Sequence, residues 1–246
     1  MGIARNLLRF FLKRTAYELS ARQQKLPVAT LDNVKLAMAL LLRTQPQPVF
    51  VQVGAYDGQT DDPTSEFVRL GKMKCVLVEP IARSFNKLKT VYGQVPNVHL
   101  IQAAVGLTDG EIAMYQVKAG SPSDTLCSGG FTSFDRAHLI KHKVQPQDIE
   151  SVTVPCLTLK SLLARFDLHR MDVLQVDTEG FDAEVVKMAL NLDTPPGCIN
   201  FENIHLNLET KAALYDQLTR KGYVYSHDKF NTLALHQSLL EKLTAV

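Results

Sequence analysis

Short apolar runs alternate with stretches of helical periodicity along most of the chain. Residues 48–54 (PVFVQVG), 74–79 (KCVLVE), 98–104 (VHLIQAA), 172–177 (DVLQVD) and 198–202 (CINFE) have the continuous apolar pattern of strands buried on both faces. Residues 31–42, 81–92, 182–190 and 208–221 repeat their apolar positions at helical spacing, and Gly222 stands where a helix-closing glycine belongs. Residues 223–226 and 232–236 predict two final strands, with Asn231 near the turn. Strands alternating with helices predict an α/β fold with a parallel, doubly wound sheet. Residues 111–158 break this rhythm. They offer two strand-like pieces (IAMYQV and VTVPCL), a Ser/Gly-rich stretch and a helical piece at 136–143. The segment is expected to be an insertion over the carboxyl edge of the sheet, where loops usually carry function.

The 246 residues suit one such domain, placed at 48–246, preceded by a helical extension at 1–47. Hydrophobic residues make up 46% and charged residues 21%, which permits a sizeable core and argues against global disorder. A net charge of +2 without aromatic–basic interleaving gives no reason to expect nucleic acid as a partner. The cysteines at 75, 127, 156 and 198 have no CxxC or zinc-like spacing and read as reduced thiols, consistent with a cytoplasmic setting. No apolar run reaches the roughly 20 residues of a membrane span. The first 25 residues form a basic amphipathic pattern, suited to packing on the domain edge or to docking on a membrane surface or a protein.

Candidate chemistry gathers at strand ends. The first loop, carrying Gly54, Tyr56 and Asp57, turns sharply after a buried strand, where glycine lets a ligand approach the backbone. Asp57 would repel a pyrophosphate and suits a cationic ligand instead, such as the amino group of a methionine moiety. Glu79 ends the second strand, where a carboxylate can accept hydrogen bonds from ribose hydroxyls. The third strand ends with Ala103 and Ala104, small enough to admit an adenine ring. At the fourth, Asp177, Glu179 and Asp182 cluster within six residues; such carboxylates can serve as a general base, orient an acceptor or hold a divalent cation. Glu202, Asn203 and His205 follow the fifth strand and suit an acceptor pocket. His138 and His142 lie four apart, but with Lys141 and Lys143 beside them they predict a solvated basic face, and no metal centre is expected. Ser123 and Ser128 lack a nucleophile elbow.

Residues 152–187 (VTVPCLTLKSLLARFDLHRMDVLQVDTEGFDAEVVK) closely resemble the hallmark of the FkbM-type methyltransferases, most specifically at the junction of Asp177, Glu179, Gly180 and Asp182. VQVGAYDG, the VEP strand end, AVGLTDGEIAMY and INFEN match other family features, so the resemblance spans about residues 48–236. It implies a Rossmann-like class I methyltransferase fold, a seven-stranded, mostly parallel sheet with its last strand antiparallel and helices on both faces. It also implies S-adenosylmethionine as methyl donor, with O-methylation of a sugar, polyketide or related metabolite. On this reading Gly54, Tyr56, Asp57, Glu79 and Ala104 bind the donor, and Asp177, Glu179 and His205 are the catalytic candidates. A magnesium-assisted route through Asp177 and Glu202 is an alternative. Gln175 stands where many members have Lys; if that Lys helps catalysis, this chain belongs to a variant branch with different acceptor handling. Two other classes compete: a nicotinamide-dependent oxidoreductase, disfavoured by the missing third glycine, and a non-catalytic adaptor docking through the N-terminal helix.

Overall fold

The computed structural model describes residues 32–126 and 132–244. The basic N-terminal segment, Cys127 and Ser128 lie outside the described residues. Seven strands form the main sheet: β1 (Val49–Val53), β2 (Lys74–Val78), β3 (Val98–Ile101), β8 (Val173–Val176), β9 (Cys198–Glu202), β10 (Tyr223–His227) and β11 (Asn231–His236). Their order is β10-β11-β9-β8-β1-β2-β3. Every pairing is parallel except the two made by β11. This is the class I methyltransferase arrangement, and it sets the chain reversal between β1 and β8, where crevices for ligands form.

The two faces of the sheet bury separate halves of the core. Val49, Val51 and Val53 pack with residues of the helices Leu159–Arg165, Asp182–Leu190 and Leu208–Arg220. Phe50, Cys75 and Leu77 pack on the other face with the helices Asn33–Thr44, Ala82–Tyr92 and Gln237–Thr244. Alternate side chains of one strand thus reach opposite layers, which is why β1 is apolar at nearly every position. Each fully buried Val, Leu or Phe contributes roughly 1.5–3 kcal/mol. Cys75, Cys156 and Cys198 are buried free thiols, and burial pushes Cys75 and Cys198 up to about 12, leaving both unreactive.

The two strand-like pieces of the insertion belong to a second sheet. Its strands β4 (Ala104–Val105), β5 (Gly110–Val117), β6 (Thr132–Ser133) and β7 (Ile149–Leu157) run in the order β4-β7-β5-β6. β5 and β7 pair antiparallel along their whole length, from Gly110 opposite Cys156 to Val117 opposite Ile149. Met114, Val154 and Cys156 close one small cluster with Ala104; Val117, Leu139, Val144 and Ile149 close another. The third apolar run is therefore split, its first part in the main sheet and Ala104–Val105 in the second. No helix among the described residues is long and apolar enough to cross a membrane.

Candidate active site

The carboxyl ends of β1, β2 and β8 are drawn together by backbone contacts. Gly54 N and Ala55 N both donate to Val78 O at 3.0 Å, and Asp177 N donates to Val53 O at 2.9 Å. Gly54 has φ +81°, and a Cβ there would lie 1.6 Å from Asp177 O. Glycine at this position is thus required by the neighbouring strand's backbone as well as by the turn. Tyr56 follows with φ +46°. Its N–H donates to Glu79 Oε2 at 2.9 Å, while Ile81 N–H donates to Oε1 at 2.9 Å. Glu79 is 5% exposed. Burial raises its carboxyl to about 7, against the opposing effect of these two N–H bonds. Tyr92 Oη, from the Ala82–Tyr92 helix, donates to Gly58 O at 2.6 Å and anchors the loop from behind.

These strand ends border a cavity of about 370 Å³. Gly54, Tyr56, Glu79 and Ala104 line it, as do Asp177 and Glu179. Ala103, Val105 and Met114 supply its apolar wall, and Thr132 and Phe134 of the insertion its outer side. Asp57 is placed differently from the sequence expectation. It does not line the cavity; its carboxylate accepts from Gln59 N, Thr60 N and Thr60 Oγ1 at 2.8–2.9 Å and closes its own turn. The loop instead presents Asp61 and Asp62. Asp62 accepts from Gln52 Nε2 at 3.2 Å and from Thr64 N at 2.7 Å.

The acidic junction after β8 divides its labour. Asp182 is fully buried and accepts from Thr178 N at 3.3 Å and Gly180 N at 3.2 Å, so it holds the turn rather than touching the cavity. The turn places Glu179 in a left-handed conformation, φ +52°, further fixed by Ser133 Oγ donating to Glu179 O at 3.1 Å. Asp177 opens onto the cavity, and its side chain is accessible there. Desolvation, followed by the charges of Glu202, Asp182, Glu179 and Asp62, raises its carboxyl well above the usual range.

Behind Glu179 lies a cluster of imidazoles. Glu179 Oε2 is 3.3 Å from both His138 Nε2 and His205 Nε2, and His205 Nε2 is 3.2 Å from Glu202 Oε2. Burial would raise Glu179, but the bonds from His138 and His205 outweigh it and bring the carboxyl down to about 2. The contact with Glu179 raises His205, and burial raises Glu202 to about 7. His142 packs against both other imidazoles, at ring distances of 4.6 Å to His138 and 5.0 Å to His205. The expected solvated face is therefore corrected. The helix Arg136–Lys141 is laid on the sheet edge, and its histidines turn inward while Lys143 leaves the helix with φ +68°. Among the described residues, two groups could hold a metal: His138, His142 and His205, and Glu179, Glu202 and His205. Asp177 belongs to neither, so the expected magnesium pair of Asp177 and Glu202 is not assembled as part of a larger ligand set. Asn203 also serves structure: it donates to Thr232 Oγ1 at 3.0 Å and accepts from Lys211 Nζ at 3.1 Å. Ser123 is buried against Asp148 at 2.6 Å.

One feature escaped the sequence reading. Gln52, Gln175 and Asn200 lie in register across β1, β8 and β9, all buried. Asn200 Nδ2 donates to Gln175 Oε1 at 2.8 Å, while Gln52 Oε1 and Asn200 Oδ1 have no hydrogen-bond partner among the described residues. Gln52 and Gln175 line the cavity. The available signal was a polar residue at the same offset in three otherwise apolar runs, because buried amides are costly unless something uses them.

The family model described as the methyltransferase FkbM domain matches residues 52–225. No curated protein matches the chain. Solved structures similar to it include a precorrin-6y C5,15-methyltransferase from Geobacter metallireducens, 13% identical, covering 85% of this chain and 90% of that one with a TM-score of 0.42. An O-methyltransferase from Bacillus cereus in complex with SAH is 10% identical, covers 91% and 90%, and has a TM-score of 0.43. A fibrillarin pre-rRNA processing protein from Methanococcus jannaschii is 11% identical, covering 82% and 74% at 0.44.

Proposed function

The chain belongs to the FkbM methyltransferase family, and from that premise we propose that it transfers a methyl group from S-adenosylmethionine to a hydroxyl of a sugar, polyketide or related metabolite. The observation that carries this reading is the meeting of buried Glu79, the left-handed Gly54–Tyr56 loop and the Ala103–Val105 wall in one cavity. A carboxylate fixed by two backbone N–H groups keeps further lone pairs for ribose hydroxyls. Small apolar residues beside it accommodate an aromatic base. Asp61 and Asp62 give the loop side of the wall a negative potential that suits a cationic sulfonium and an ammonium group.

When bound, the donor supplies an electrophilic methyl on a positively charged sulfur. The protein's own contribution is position and proton management. Fixing donor and acceptor in line supplies most of the catalytic advantage. A general base adds roughly 10²–10⁴-fold for a hydroxyl acceptor. Asp177 is the base in this reading, because it opens onto the cavity and the carboxylates of Glu202, Asp182, Glu179 and Asp62 around it make its carboxyl a stronger base than an ordinary one. Glu179, held as a carboxylate by its imidazole partners, orients the acceptor; His205 acts through Glu179. Acceptor choice falls to the insertion, whose Met114, Thr132 and Phe134 form the outer wall.

The test is Asp177→Asn. It is expected to abolish methyl transfer to hydroxylated acceptors while leaving affinity for S-adenosylhomocysteine within a few-fold of the native chain. Full turnover in this variant would remove Asp177 from the mechanism.

A further inference from the structure

We propose that His138, His142, His205 and Glu179 form a binding site for a divalent metal ion of the zinc class, with Glu202 as an additional carboxylate. The residues come from three separated parts of the chain: the insertion helix, the turn after β8 and the turn after β9. Glu179 Oε2 stands 3.3 Å from two imidazole nitrogens at once. That is long for a charge-assisted hydrogen bond, which is about 2.7–2.9 Å. The spacing is also that of a tetrahedral zinc site, where bonds of about 2.0–2.1 Å give ligand-to-ligand edges of roughly 3.3–3.4 Å.

Within each of the two groups, every ligand atom lies within 4.8 Å of the others, and His205 is common to both. The two groups are also joined by the contact of Glu179 with His138. A second observation points the same way. Glu202 Oε2 is buried and makes no hydrogen bond among the described residues, although His205 Nε2 is 3.2 Å away. A buried carboxylate oxygen without a hydrogen bond is costly, and coordination would satisfy it. The donor set also selects the ion. Imidazole suits zinc, copper, iron and nickel, whereas magnesium prefers oxygen ligands and keeps its water.

The ion would tie the insertion to the edge of the main sheet. Glu179 lines both the strand-end cavity and a neighbouring one of about 360 Å³ that His138 and His205 border, so the ion would sit in the wall between them. The site is read by metal binding alone, whatever the chain methylates.

The experiment uses the untagged full-length chain, stripped with a chelator and titrated with Zn²⁺, Co²⁺ and Mg²⁺. The expected result is one tight zinc per chain, visible cobalt d–d bands of four-coordinate intensity without a thiolate charge-transfer band, and no comparable magnesium binding. His138→Ala/His142→Ala should weaken zinc by roughly 100-fold or more, since even outer-shell losses cost about 10–100-fold. Circular dichroism checks that this variant folds; should it not, His142→Asn alone is read the same way. No zinc bound by the native chain, unchanged zinc affinity in a folded variant, or a strong thiolate band would each overturn the proposal.

Discussion

Gly54→Ala isolates the physical reason for the first loop. Two costs add at this position. A non-glycine residue at φ +81° costs roughly 1–2 kcal/mol. The new Cβ would also stand 1.6 Å from Asp177 O, a backbone atom that yields only if β1 or β8 shifts. Forced packing of that kind costs roughly 1–3 kcal/mol. Gly120→Ala provides the control, because Gly120 has φ +74° with nothing within 4 Å of an added Cβ. It should incur the conformational cost alone. In a chain of this size each kcal/mol lowers the melting temperature by about 2–4 °C. Gly54→Ala is therefore expected to melt roughly 2–12 °C below Gly120→Ala, followed by circular dichroism on heating. Equal melting temperatures would show that the strand ends are not locked as described.

The buried carboxyl of Glu79 predicts a pH dependence. Its folded value near 7 lies above the ordinary 4.5, so the folded state holds a proton that the unfolded state releases, and stability falls as pH rises from about 4.5 to 7. The loss is on the order of 3 kcal/mol, and Glu79→Gln should flatten the slope in denaturant titrations of the ligand-free chain; an unchanged slope would contradict the assignment. Asp57→Asn keeps an acceptor oxygen for its turn and should alter S-adenosylhomocysteine affinity less than threefold or so, whereas Asp62→Asn, which removes a charge from the cavity wall, should weaken it by roughly tenfold, about 1.4 kcal/mol. The reverse order, measured by calorimetry, would return the donor's ammonium to Asp57.

The strand ends were legible because buried parallel strands are continuous in sequence and ligands gather at their carboxyl ends. That logic located Gly54, Glu79, Asp177 and Glu179, which all line one cavity. It placed Asp57 with them because a strand-end carboxylate looks the same whether it faces a ligand or closes its own turn. The insertion was harder. Its β4 follows β3 after only two residues, Gln102 and Ala103, with no turn signal between them, so one apolar run hid two sheets. His138 and His142 sit beside lysines, and side-chain direction on a six-residue helix depends on what the helix packs against. Short helices such as Ser65–Arg69 carry too few turns for periodicity to register.

On the proposed function, the cavity bordered by Gly54 and Glu79 holds the methyl donor. Isothermal titration of the purified full-length chain with S-adenosylhomocysteine, with NAD as the control, tests it most directly. The account predicts micromolar binding of S-adenosylhomocysteine alone, lost by at least roughly tenfold in a folded Glu79→Gln variant, in line with about 1.5–3 kcal/mol for hydrogen bonds to a charged group. Binding of NAD instead, or of S-adenosylhomocysteine unaffected by Glu79→Gln, would contradict it.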